Sequence, residues 1–175
     1  MEKVILVNKN NRIIGTEEKI KAHQEGKLHR AFSIFIFNSE GELLLQKRAK
    51  SKYHSEDLWS NTVCGHPKPK EKIEGAIHRR LKEEMGFDCK LIKAFCFRYK
   101  TKFDNGLIEN EYDCVFIGKY DGKPQPNPKE VIDCKWIPLT RLKEDIFKNP
   151  QKYTYWLNKV LKKIKYNFDN EKVTQ

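Results

Sequence analysis

Apolar residues along the chain fall into short runs broken by Gly, Asn, Asp and Pro, with helical spacing in only a few places. Val4–Asn8 reads as a short strand, Asn10-Asn11 as a turn and Ile13–Ile14 as a second short apolar piece. Glu17–His23 reads as a brief helix ending near Gly26. From His29 to Phe37 the residues HRAFSIFIF are almost continuously apolar, rich in aromatic and β-branched side chains. That pattern predicts a strand buried on both faces. Asn38–Gly41 turns the chain, and Glu42–Arg48 returns with Leu43, Leu44 and Leu45. Trp59–Val63 is a further predicted strand, ending at a Cys64-Gly65-His66 corner.

In Glu71–Met85 the residues Ile73, Ala76, Ile77 and Leu81 recur at helical spacing, and Gly86 stops the helix. Leu91–Lys102 and Leu107–Lys119 flank Asp104-Asn105-Gly106, a strong hairpin turn. Pro124–Pro128 is a loop and Val131–Ile137 a final strand, after which two helices close the chain. The longer of these, roughly Gln151–Tyr166, carries an apolar stripe at Tyr153, Trp156, Leu157, Val160, Leu161 and Ile164. There is no internal repeat and no linker. The pattern predicts an α+β fold, with one domain over residues 1–168 and a flexible tail over 169–175.

Composition narrows the class. The 175 residues suit one domain with a sizeable core, and 38% hydrophobic and 11% aromatic residues argue for a folded chain. A formal charge of +11 fits a nucleic acid, an anionic membrane surface or a phosphorylated small molecule, and equally a Lys-rich solvated surface. The interleaved basic and aromatic signature of a nucleic-acid module is missing, so no nucleic-acid partner is expected. No apolar run reaches the roughly 18 residues of a membrane span. The five cysteines (Cys64, Cys89, Cys96, Cys114, Cys134) are scattered without a CxxC pair, and Met1–Asn10 has no signal-peptide character. Both point to a reducing, cytoplasmic setting.

Chemistry-bearing residues concentrate between Asn61 and Phe87. His23, His29 and His66 lie at predicted element edges, where imidazoles from separate elements can converge on one divalent cation. Taken singly, each is more often an ordinary core or surface residue. Glu109 and Glu111 are two apart on a predicted strand and share a face, and Asp113 extends the row. Such a row is either a solvated edge or a cation site, because adjacent like charges cost stability otherwise. Three histidines and two carboxylates would suit zinc, manganese or similar ions better than calcium. On the helix, Arg79 and Glu83 share a face, as do Arg80 and Glu84. These are surface ion pairs, or a carboxylate able to hold Mg²⁺ bridged to a phosphate. Arg48 and Lys52 could add phosphate contacts, and the Cys64 thiol could donate or accept a proton.

Gly65 through Phe87 resembles the Nudix box, with Gly65, Glu71, Arg79, Leu81, Glu83, Glu84, Gly86 and Phe87 in register. Arg80 stands where that box has a glutamate that helps hold hydrolytic magnesium. Together, NTVCGHP, HRAFSIFIFN and GLIENEYDCVF resemble the type 1 isopentenyl-diphosphate isomerases, a non-hydrolytic Nudix branch, from about Lys19 to Trp156. The resemblance implies a Nudix-type fold, a mixed β-sheet flanked by helices. It implies interconversion of isopentenyl and dimethylallyl diphosphate, with hydrolysis of a nucleotide or other diphosphate as the alternative. Cys64 and Glu111 would be the catalytic pair, with Tyr99 as helper. Metal ligands would be His23, His29, His66, Glu109 and Glu111, holding Mn²⁺, Zn²⁺ or Mg²⁺, and Glu84 would hold a Mg²⁺ bridging the diphosphate. Lys19, Arg48, Lys52 and Arg80 would bind the diphosphate, and Trp156 would cover the substrate. A carbocation would need a dry, aromatic pocket, for which Phe32, Phe35, Trp59, Tyr99, Phe103 and Trp156 are candidates.

Overall fold

The computed structural model describes the backbone of residues 1–167 and 172–174, and side chains as far as residue 164. Its centre is β3 (His29–Phe37), which pairs in parallel with β8 (Ile108–Lys119), from His29↔Glu111 to Phe37↔Lys119. Its other partners are all antiparallel: β1 (Lys3–Val7) at Leu6↔His29, β6 (Val63–Gly65) at Ser33↔Cys64, and β4 (Glu42–Arg48) at Phe37↔Leu43. β2 (Ile13–Glu18) extends the sheet beyond β1, β7 (Leu91–Lys102) beyond β8, and β5 (Trp59–Ser60) and β9 (Val131–Pro138) lie along β4.

Helices cover both faces of this mixed sheet. On one face α2 (Ile73–Met85) packs Ala76, Ile77, Leu81 and Met85 against Phe32, Ile34 and Ile36 of β3. On the other, α3 (Leu139–Lys148) and α4 (Tyr155–Leu161) pack Leu142, Ile146, Leu157 and Val160 against Phe35 and Phe37. Alternate β3 residues therefore enter different cores, which is why the strand is apolar throughout. The short helix α1 (Lys19–Gln24) leads from β2 back towards β3. Among the described residues no helix is long and apolar enough to cross a membrane.

Four local features differ from the sequence expectation. Glu17 and Glu18 pair with Val4 and Lys3, so strand continues where a helix was expected and α1 starts at Lys19. The expected Trp59–Val63 strand is split. Asn61 Nδ2 donates to the carbonyls of Ile34 (3.1 Å) and Val63 (2.6 Å), and Thr62 Oγ1 donates to that of Leu44 (2.7 Å). These bonds move the chain from β4 to β3, placing Cys64 and Gly65 in a strand rather than at its corner. The expected Gln151–Tyr166 helix is reduced to a 3₁₀ turn (Pro150–Lys152) and α4, because the Thr154 N–H donates to Trp59 O (2.9 Å). Its apolar stripe is nevertheless buried. Finally, a disulfide joins Cys96 and Cys114, directly opposed across β7 and β8. Of the expected tail, residues 169–171 and 175 lie outside the described residues, while Lys172–Thr174 pairs with Lys165–Asn167.

Gly86 ends α2 with φ +75°, and a Cβ there would lie 2.6 Å from the Gln125 carbonyl oxygen. Gly86→Val should lower stability by at least about 1–2 kcal/mol in urea denaturation, from the left-handed backbone alone. An unchanged midpoint would contradict this tight approach.

Candidate active site

The carboxylates of Glu109, Glu111 and Asp113 line up along one face of β8 and are all at least nine-tenths buried. A solvated edge is therefore excluded, and each charge needs a partner. β7 sets Tyr99 opposite Glu111, and the Tyr99 hydroxyl lies 2.6 Å from Glu109 Oε2 and 2.7 Å from Glu111 Oε2. One hydroxyl proton is thus shared between two acids. Asp113 accepts from Ser33 Oγ (2.8 Å), and burial, reinforced by the Glu111 charge, holds its carboxyl well above the usual range.

The parallel register sets His29 against Glu111, with Nε2 at 3.5 Å from Oε1. His66, just after β6, brings its Nε2 to 2.9 Å from the same oxygen. His23, at the end of α1, joins them, its ring centroid 4.7 Å from that of His29. His23 Nδ1 contacts Lys19 O at 2.7 Å and His29 Nδ1 contacts Lys27 O at 2.9 Å. Each contact fixes Nδ1 as the donor and leaves Nε2 facing the cluster. Burial, reinforced by neighbouring His29, pushes His23 and His66 down to about 4, so both imidazoles are neutral at pH 7. Burial raises Glu111, but the facing imidazoles of His29 and His66 outweigh it and hold the carboxylate well below its ordinary range.

These residues fit a divalent cation. The ligand atoms of His23, His29, His66 and Glu111 lie within 4.8 Å of one another, and His29 Nε2 is buried without a hydrogen-bond partner. Glu109 belongs to an adjoining group with His23 and His54. His54 and Tyr53, whose hydroxyl is 3.2 Å from His23 Nε2, are the site residues that sequence spacing does not single out. Both come from the irregular segment between β4 and β5, where no periodicity marks a facing.

A cavity of about 430 Å³ opens beside this cluster, lined by Cys64, Tyr99, Glu109, Glu111 and Trp156 together with Lys19, Lys52 and Arg80. Arg48 lies 5% exposed within it, donating to the carbonyls of His54 and Ser55 (both 3.0 Å), with Nη1 3.7 Å from Cys64 Sγ. Its guanidinium carbon is 5.2 Å from the Trp156 ring, a cation–π contact. Trp156 is also a core residue, its Nε1 donating to Ser60 Oγ (3.0 Å) and Asn61 Oδ1 (3.1 Å). Of the expected aromatic lining, Tyr99 and Trp156 face the cavity. Phe32 and Phe35 lie in the cores, Trp59 packs against one of them, and Phe103 stacks on His54.

The cationic side chains of the lining are paired with carboxylates. Lys52 and Arg80 both bond Glu130, a residue the sequence reading passes over, and Lys19 pairs with Glu2 at 3.1 Å. Arg80 also bonds Glu83 (2.8 Å) and Glu84. Glu84 is only 1% exposed and accepts a second bond from Gln46 Nε2 (2.8 Å), so its pair with Arg80 is not the surface pair expected from spacing.

The NUDIX domain family matches residues 27–157. The chain is 52% identical over 163 residues, 93% of its length and 86% of the relative's, to the isopentenyl-diphosphate Delta-isomerase 2 of Aromatoleum aromaticum. It is 51% identical to the protein of that name from Photorhabdus laumondii, covering 94% of this chain and 93% of that one. The chain belongs to the NUDIX family, among the isopentenyl-diphosphate Delta-isomerases. A crystal structure from Deinococcus radiodurans superimposes with a TM-score of 0.77 at 19% identity, over 92% of this chain and 98% of that one. A MutT NUDIX hydrolase from Burkholderia pseudomallei does so at 0.63 and 20% identity, over 79% and 98%. At those identities the likeness is one of fold.

Within this NUDIX domain the box residues brace the loop before α2. Arg79 donates to both oxygens of Glu71 (2.7 and 2.9 Å), and Glu71 Oε2 accepts the Lys68 N–H (2.7 Å). Cys64 emerges on the strand ahead of that loop. Burial, reinforced by Glu84 and opposed by Arg48, pushes its thiol up to about 12. At pH 8 only about one molecule in ten thousand would carry the thiolate. Alkylation of Cys64 by iodoacetamide, followed by peptide mass spectrometry, should rise about tenfold per pH unit through pH 10. A plateau near pH 8–9 would contradict the half-buried, neutral thiol.

Proposed function

We propose that this protein is a cytoplasmic, metal-dependent isomerase that interconverts isopentenyl diphosphate and dimethylallyl diphosphate, within a single domain over residues 1–168. The observation that carries the reading is the convergence of Cys64 and Glu111 on one cavity from strands on opposite sides of β3. The isomerase names and close identity of its relatives supply the substrate.

A proton added to the terminal alkene carbon forms a C–H bond from the π pair and leaves a tertiary carbocation. Loss of a proton from the carbon next to the diphosphate-bearing one returns its electron pair as the new double bond. Such a 1,3-rearrangement needs a donor and an acceptor on opposed sides of the substrate. Cys64 offers a protonated thiol, and Glu111 a carboxylate that shares the Tyr99 proton. Reversing the reaction exchanges their roles. The faces of Tyr99 and Trp156 stabilise positive charge and help exclude water.

His23, His29, His66, Glu109 and Glu111 would hold a divalent ion, Mn²⁺, Zn²⁺ or Mg²⁺ by their mixed nitrogen and oxygen chemistry. Glu84 would hold a Mg²⁺ bridging the diphosphate once Arg80 turns to the phosphate oxygens. Bound, these ions polarise the Glu111 carboxylate and neutralise phosphate charge. Lys19, Arg48, Lys52 and Arg80 hold the diphosphate, which fixes the reacting carbons between the two proton-transfer groups. Arg80 replaces the box acid that a hydrolase needs, and this disfavours pyrophosphate cleavage.

Isopentenyl diphosphate incubated with the protein, Mg²⁺ and Mn²⁺ or Zn²⁺ should yield dimethylallyl diphosphate without phosphate release. Cys64→Ala and Glu111→Gln should each lower turnover by at least about 10²–10⁴-fold with the circular dichroism spectrum retained. Near-native activity in either variant would break the assigned pair. Phosphate release exceeding isomerisation would favour the hydrolase instead.

A further inference from the structure

His54 is the histidine of this cavity that the five-ligand reading leaves without a role. It sits in the segment between β4 and β5 and is 2% exposed. Phe103 stacks on its ring at 4.7 Å, and Tyr53 and Trp156 meet it edge-on at 4.2 and 5.9 Å, so the ring has a fixed orientation. Its Nδ1 lies 3.3 Å from Ser55 Oγ. Its Nε2 lies 3.0 Å from Glu109 Oε1, yet makes no hydrogen bond with it or with any other atom.

That combination is informative. An imidazolium paired with Glu109 would aim its N–H along the 3.0 Å line, and an ordinary core histidine would satisfy Nε2 elsewhere. Ser55 Oγ can accept from Nδ1–H, and Nε2, which aims no N–H at Glu109, then presents a lone pair beside a carboxylate oxygen, an arrangement that is repulsive unless a cation serves both. Two adjacent donors each about 2.1 Å from one ion, at about a right angle, stand about 3 Å apart, as these do. The ligand atoms of His54, Glu109 and His23 lie within 4.8 Å of one another, and His23 also belongs to the group with His29, His66 and Glu111. The two groups therefore adjoin.

We propose that His54 is a further nitrogen donor to the divalent-cation centre, entering on the Glu109 side. The inference rests on reading the histidine–carboxylate cluster as that centre. Its consequence is structural. The loop that supplies His54 also carries Lys52 and Tyr53, and Arg48 holds its His54 and Ser55 carbonyls, so a bound cation ties the cavity's phosphate-facing loop to the sheet.

The test uses the full ¹⁵N-labelled chain, stripped of metal and titrated with ¹¹³Cd²⁺ alone. Direct ¹¹³Cd–¹⁵N coupling is expected at four imidazoles, those of His23, His29, His54 and His66. His78, engaged with Asp88 at 2.5 Å on α2, is the internal control and should show none. Coupling at the other three with none at His54 would overturn the inference and leave the centre standing. No coupling at any histidine would overturn both. In parallel, His54→Gln should weaken Cd²⁺ binding by at least about tenfold while the other couplings persist, and an unchanged affinity would count against His54 as a ligand.

Discussion

The pairing of β3 with its neighbours is the constraint on which the site depends. In register, β8 puts Glu111 beside His29, and β6 puts Cys64 beside Ser33 on the other flank. The hairpin partner β7 then brings Tyr99 to Glu111. Because successive residues of a strand face opposite ways, a slip of one position would turn the carboxylate row into the opposite core. It would also turn Phe35 and Phe37 away from α3 and α4, so the apolar packing that stabilises the fold enforces the same register that assembles the chemistry.

Within that frame the cavity carries two sets of charge-bearing groups. One set, carboxylates and imidazoles, is suited to a cation. The other set, Lys19, Lys52 and Arg80, is suited to an anion and is held meanwhile by Glu2, Glu130, Glu83 and Glu84. Partial burial makes those pairs costly to break without replacement, so a diphosphate with its own cations is the kind of ligand that can exchange with them. The +11 formal charge gains a local meaning here, since part of it is gathered at one cavity.

Much of this was legible from local pattern. The HRAFSIFIF run announced a doubly buried strand, the i, i+2 spacing put Glu109 and Glu111 on one face, and the helix stop at Gly86 carries positive φ. What local pattern missed was set by contacts distant in sequence. The strand break at Asn61 and Thr62 is made by side-chain bonds to β3 and β4, and the Cys96–Cys114 pair by hairpin register. His54 and Glu130 lie in irregular segments that only tertiary structure aims at the cavity. Spacing alone also could not tell that the Arg80–Glu84 pair is buried, since that depends on Gln46 lying behind it.

The central claim is that this cavity moves protons on carbon while leaving the diphosphate intact. Isopentenyl diphosphate incubated in D₂O with the metal-loaded protein, followed by ²H and ³¹P NMR, tests it most directly. The account predicts deuterium in a methyl group of dimethylallyl diphosphate, with the diphosphate resonances preserved. Release of phosphate or diphosphate with no carbon-bound deuterium would contradict it.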